Sequence, residues 1–228
     1  MKSVNFAIAN DVKQLGVKSR AAILRGINNT QYHPDFEAYK ENILEKAKQD
    51  WNDHAIDTDL VLLGFRQLHD RVSRSNKKYV ASPEALIRLL IEHNRFPKIN
   101  QVVDIYNLSS LRSKLALGAH DLRSIDGGVT LRFTTGNETF IPLGKNIVEQ
   151  VLPEEYAHID DNNEIICRLE VLQGNKTKIS QNTTDIFLIT QGNVYTDDAY
   201  ILSILQTTCN LIRVYCGGTA EILDEVVQ

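Results

Sequence analysis

The chain has 228 residues, 43% of them hydrophobic and 24% charged, which is enough apolar material for a sizeable core and no compositional sign of disorder. A formal net charge of −4 excludes a global positive field that would draw the molecule onto nucleic acid, so any RNA contact must come from a local patch and no DNA partner is expected. Cys167, Cys209 and Cys216 are odd in number and lack C-x-x-C spacing, which argues against a disulfide framework and a structural zinc site and favours small buried hydrophobes.

The first predicted elements are two short strands, "SVNFAIA" and "SRAAILRGI". Asn10, Asp11 and Lys13 interrupt the apolar run that a secretory signal would need, and no stretch approaches bilayer length, so a cytoplasmic location with no membrane partner is expected. "DFEAYKENILEKAKQDW" reads as a helix with Phe36, Tyr39, Ile43 and Ala47 on one face, and "TDLVLLGFRQLHDRV" as a second. "SPEALIRLLIEHNRF" gives a third, with Ser82 as N-cap, Pro83 at the first helical position and Glu84 in the first turn, ended by Pro97. From Ile99 an amphipathic stretch leads into a bend of small residues holding Gly118, Ala119, His120 and Asp121.

The period then changes to two. "VTLRFTT" alternates Val129, Leu131 and Phe133 against Thr130, Arg132 and Thr134 and turns at Gly136 and Asn137 into "ETFIPL", a predicted hairpin whose second strand carries Pro142. "EIICRLEVL" repeats the alternation, "GNKTKISQNTT" is a polar connection that joins strands or rims a pocket, and "DIFLITQ" is another strand. "TDDAYILSILQTTCNLIRVYCGG" is the last long helix, with Ile201, Leu202, Leu205, Cys209 and Ile212 on one broad face, Asp197 and Asp198 at its positive end and Gly217 as its stop. That helix is expected to cover a sheet formed by the strands between Val129 and Ile189. No repeat or low-complexity linker divides the chain, so one α+β domain is expected over residues 1–228. Residues 1–96 supply N-terminal strands and helices, packed on the mixed or antiparallel sheet and long C-terminal helix of residues 97–228.

General catalytic motifs are missing: there is no G-x-S-x-G, no G-x-x-x-x-G-K and no H-E-x-x-H, and the six histidines are scattered without metal-ligand spacing, so neither a metal nor a cofactor is expected. Arg71, Arg74, Lys77 and Lys78 cluster at a predicted helix end. They read as a candidate RNA-docking patch or, more plainly, as a solvated face that complements the helix dipole.

At residues 100–122 the sequence resembles a known family. Asn100, Val102, Val103, Asp104, Ile105, Asn107, Ser110 and Leu111, followed by Leu117, Gly118, Ala119, Asp121 and Leu122, look like the editing and tRNA-binding B3/B4 module of the phenylalanyl-tRNA synthetase beta subunit. The blocks "GGVTLRF", "EIICR" and "NTTDIFLI" follow in the family's order, so the resemblance covers residues 97–191. It implies the B3/B4-like α+β fold in a free-standing module, too short to hold the synthetase's catalytic or anticodon-binding parts. It also implies a tRNA or aminoacyl-tRNA partner, and a pocket where the family hydrolyses tyrosine misattached to phenylalanine tRNA. Carried over without gaps from Asn107, the family's pocket histidine falls on Gly118, and its glutamate that reads the tyrosine hydroxyl falls on Ile189. Both departures remove groups from tyrosine-specific editing, since a hydroxyl left unpaired in a buried site costs about 1–3 kcal/mol.

His120, two residues on, stands where the family has an aromatic ring and is either a substitute catalytic group or a packing residue. Small Gly118 and Ala119 let backbone approach a ligand, and Asp104 and Asn107 lie three apart on one helix side. Asp104 and Asp121 either serve the site or brace the fold through backbone N–H groups, and Arg168 faces either solvent or a pocket where its guanidinium would hold a carboxylate or phosphate. Two functions stay open: a trans-acting hydrolase of mischarged aminoacyl-tRNA, and a noncatalytic module binding an amino acid, a nucleotide or RNA.

Overall fold

The computed structural model describes residues 4–226. Chain order runs β1 (Phe6–Ile8), α1 (Asn10–Leu15), β2 (Lys18–Arg25), α2 (Pro34–Asp50), α3 (Asp53–Thr58), α4 (Leu60–Arg71), α5 (Ser82–His93), α6 (Gln101–Ser113), β3 (Ala116–Asp121), β4 (Val129–Phe133), β5 (Tyr156–Asp160), β6 (Ile165–Arg168), β7 (Leu172–Gln173), β8 (Asp185–Gly192), α7 (Asp198–Cys216) and β9 (Thr219–Ile222). A single turn of 3₁₀-helix, Leu122–Ser124, follows β3. This is an α+β fold with two sheets. The order β1-β4-β5-β6-β7 is mixed, because β1 runs parallel to β4, and β3-β8-β2-β9 is antiparallel.

The period of two along the central strands explains the layering. On β2, Ala22 and Leu24 join a cluster with α2, α5, α6 and α7, while Ala21 and Ile23 face the other sheet with Phe6, Leu131 and Tyr156. On β8, Ile186 and Leu188 take the helical side and Phe187 and Ile189 the inter-sheet side. On β3, Leu117 and Ala119 lie on the helical side and Ala116 between the sheets. By the same alternation Gly118 and His120 point between the sheets.

Three expectations about the strands are corrected. The strands between Val129 and Ile189 do not form one sheet: β8 pairs with β2 and β3, and α7 packs on that sheet rather than on β4, β5 and β6. Long-range pairing is not encoded in the local period, so the sequence could not place β8. The hairpin of β4 with "ETFIPL" is absent. The antiparallel partner of β4 is β5, and within residues 138–143 there are only isolated bridges, Thr139 with Glu164 and Pro142 with Gly174. The Glu138 carboxylate accepts from Thr135 N and Gly136 N at 2.9 and 3.0 Å, locking the turn away from hairpin geometry, and Pro142 brings no N–H to a ladder. Finally, "EIICRLEVL" is two strands, broken where Leu169 and Glu170 adopt φ of 52° and 45°.

The starts of α6 and α7 follow their sequence signals, and that of α5 is shifted by one residue. Asn100 caps α6 by accepting from Val103 N, and Asp197 caps α7 by accepting from Tyr200 N. Ala81, not Ser82, is the N-cap of α5, so Ser82 and Pro83 are its first two helical residues. Among the described residues no helix is long and apolar enough to cross a membrane.

Candidate functional site

Where the middle of α6 passes β3 lies a cavity of about 650 Å³. Asn107 and Tyr106 reach it from α6, Gly118 and His120 from β3, and Cys167 and Glu170 from the end of β6 and the break after it. Lys78, Tyr79 and Lys145 also line it. A smaller chamber of about 30 Å³ lies against it, sharing Gly118, His120, Cys167 and Glu170 and adding His158, Ile189 and Gln191. The structure therefore brings Asn107, Gly118 and His120 to one space.

Gly118 is the opening in the wall. A Cβ built there would meet only His120 Nε2, at 3.9 Å, so the volume a side chain would fill belongs to the cavity. Gly118 pairs in register with Ile189 on β8, which places the two departures from the resembled family side by side.

His120 is 1% exposed, with Nδ1 2.8 Å from Thr177 Oγ1 and Nε2 buried without a hydrogen-bond partner. Burial first, and His158 second, push its pKa down to about 3, so the imidazole is neutral near pH 7. Which ring nitrogen carries the proton follows from Thr177. If the threonine hydroxyl donates to Nδ1, Nε2 presents N–H to the cavity; if it accepts, Nε2 presents a lone pair. Burial also holds His158 down to about 3. The Cys167 thiol, raised to about 12 by burial and then by Glu170, is no thiolate nucleophile.

The other candidates lie elsewhere. Asp104 is buried and accepts from Tyr32 Oη at 3.1 Å and Ile99 N at 2.9 Å; burial outweighs these bonds and raises its pKa. Ala119 is fully buried on the helical side, and its carbonyl accepts from Gln173 Nε2. Asp121 accepts from Arg123 N at the 3₁₀ turn and from Thr183 Oγ1. Arg168 faces neither solvent nor the cavity: it is 3% exposed and donates to both oxygens of Glu155, Nη2 at 2.8 Å from Oε1. The fully buried carboxylate of Glu155, the residue just before β5, recruits it, and its guanidinium lies 5.9 Å from the Tyr79 ring. The basic cluster divides as well. Arg71 donates to Leu15 O, Arg74 is ion-paired with Glu155, and Lys77 and Lys78 are exposed, with Lys78 also lining the cavity.

Glu170 is the residue that sequence reasoning missed. Oε1 accepts from His69 Nε2 at 2.7 Å and Tyr156 Oη at 3.0 Å, and Oε2 accepts from Gln191 Nε2 at 2.7 Å. Burial opposes charge on His69, but the Glu170 carboxylate outweighs it and the His69 pKa is raised. Two signals pointed here: alternation put Glu170 on the side of the core residue Ile166, and His69 follows the buried Phe65 by four positions on α4.

The B3/4 domain family model matches residues 65–210, which include every residue of the cavity wall named above. The chain belongs to the B3/4 domain family. The phenylalanine–tRNA ligase beta subunit of Wolbachia sp. subsp. Brugia malayi is 25% identical over 237 residues, a match covering 94% of this chain and 28% of that subunit. The beta subunit of Aquifex aeolicus is 36% identical over 90 residues, covering 40% of this chain and 11% of that subunit. An N-terminal fragment of the phenylalanyl-tRNA synthetase beta subunit from Pyrococcus horikoshii matches in fold with a TM-score of 0.52 at 12% identity, covering 99% of this chain and 52% of that one. This B3/4 domain chain thus spans less than a third of the two ligase subunits.

Proposed function

We propose that this B3/4 domain holds the aminoacyl end of a mischarged aminoacyl-tRNA and hydrolyses its ester in trans. The observation that carries the reading is the unpartnered, buried His120 Nε2 on the wall of a cavity shared with Asn107 and Gly118. The ligase subunits it resembles act on tRNA by name, and a space of about 650 Å³ falls in the range of small-ligand sites. Hydrolysis needs a water placed against the carbonyl and a donor for the oxygen that becomes anionic. The Asn107 amide is suited to the second role. With its pKa near 3, His120 is no proton store at neutral pH, so its part is to orient water through Nε2, adequate for an already reactive aminoacyl ester.

The same low pKa favours a second reading, a noncatalytic pocket for an amino acid, a nucleotide or RNA, because efficient proton transfer calls for a group that titrates near the working pH. Deacylation of a panel of mischarged tRNAs by the wild type, His120→Ala and Gly118→Trp separates the two. Loss of hydrolysis in both variants, with binding lost only in Gly118→Trp, supports the hydrolase. Ligand binding that survives His120→Ala with no hydrolysis by any form supports the binding module. A folded Gly118→Trp that keeps every interaction refutes the pocket.

A further inference from the structure

The aminoacyl end of a charged tRNA carries an α-ammonium, and a site that closes on it needs an anion within reach. Two carboxylates line the cavity. Glu149 is paired with Lys145 in a side chain 34% exposed, where solvent screens its charge. Glu170 lines both the cavity and the inner chamber with a side chain only 2% exposed.

We infer that Glu170 is the anchor for the α-ammonium of the bound aminoacyl group, an assignment that rests on the pocket reading above. A carboxylate accepts at about four lone-pair positions. His69 and Tyr156 occupy Oε1, whereas Oε2 takes only Gln191, so Oε2 keeps acceptor capacity, and Glu170 and Gln191 both line the chamber. Consecutive non-glycine residues, Leu169 at φ 52° and Glu170 at 45°, hold a strained backbone where a regular strand would carry Glu170 on with its alternation. Conformations of this kind persist where surrounding structure imposes them and gather at ligand sites. Three donors, from α4, β5 and β8, converge on the carboxylate that this backbone presents. Their convergence fixes the carboxylate before a ligand arrives and so reduces the ordering that binding must supply. His120 Nε2, on the shared wall, remains available for the water.

The test uses amide-linked 3′-amino-3′-deoxyadenosine carrying alanyl, seryl or phenylalanyl groups, which cannot be hydrolysed as esters, measured by calorimetry on the intact chain. Each is compared with its α-hydroxyacyl counterpart, lactyl for alanyl, which removes the ammonium without adding bulk. Wild-type protein should prefer the amine by about tenfold or more, as a charge-assisted hydrogen bond in a dry site requires. Glu170→Gln should bring the ratio close to one while the hydroxyacyl affinity is kept. A merely structural Glu170 would weaken both ligands alike. Equal wild-type affinity for amine and hydroxyacyl forms overturns the anchor and leaves the pocket standing; binding of none of the probes overturns the pocket and the anchor together.

Discussion

His120, His158 and His69 are three buried histidines with opposite responses to pH. His120 and His158 sit without a carboxylate partner, and burial lowers both from 6.5 to about 3. An unfolded chain therefore binds protons on these rings between about pH 6.5 and 3 that the folded chain refuses, so stability falls as pH falls through that window. His69 has the reverse sign. Burial opposes its charge, Glu170 overrides burial, and the folded pKa stands above 6.5, so its contribution is complete below the unfolded value and fades as pH rises through the folded one. Urea midpoints measured across pH should peak near neutrality. Replacing His158 with Asn should flatten the acid limb, and Glu170→Gln should flatten the limb above pH 6.5. An acid limb unchanged in the His158 variant would show that its imidazole titrates normally in the folded chain.

At the scale of the element, α6 carries the site, and its start is held more firmly than an ordinary helix end. Asn100 is 4% exposed, and its Oδ1 accepts both from Val103 N at 3.1 Å and from Asn29 Nδ2 at 3.0 Å. Asn29 in turn accepts from Val102 N at 3.0 Å through Oδ1. Two side chains thus satisfy two of the free N–H groups of the first turn, and one of them ties α6 to the loop after β2. Substituting an N-cap costs about 1 kcal/mol, and leaving a buried donor unpaired adds about 1–3. Asn100→Ala should therefore destabilise by about 2–4 kcal/mol by denaturant titration. Asn100→Asp keeps the acceptor and should lose much less. A cost below 1 kcal/mol for Ala would mean that the start of α6 relaxes without its cap.

For the whole molecule, the elements were largely legible and their assembly was not. Val129, Leu131 and the "DIFLITQ" run announce strands through a period of two, and the broad face of α7 announces burial, but nothing local tells β8 to pair with β2, some 165 residues earlier, rather than with β6. Asn107, Gly118 and His120 could be picked out because they stand together in one motif. Glu170 could be placed only on the side of its strand shared with Ile166, because the partners that make it part of a site come from three distant elements. The basic cluster shows how far sequence proximity misleads. Of Arg71, Arg74, Lys77 and Lys78, Arg74 is neutralised by Glu155 and the exposed Arg71 is tethered to Leu15 O, while Lys77 and Lys78 are exposed point charges for a phosphate backbone, the latter beside the cavity mouth. If tRNA docks here, the Lys77→Ala, Lys78→Ala double variant should bind more weakly and lower the slope of log affinity against log salt by about one for each lost contact. Arg74→Ala should act differently. It strips one of two cations from the fully buried Glu155, so its main effect should be lower stability, with the salt slope of the remaining folded protein unchanged. A salt slope that survives loss of both lysines would return the cluster to an ordinary solvated face and move the docking surface elsewhere.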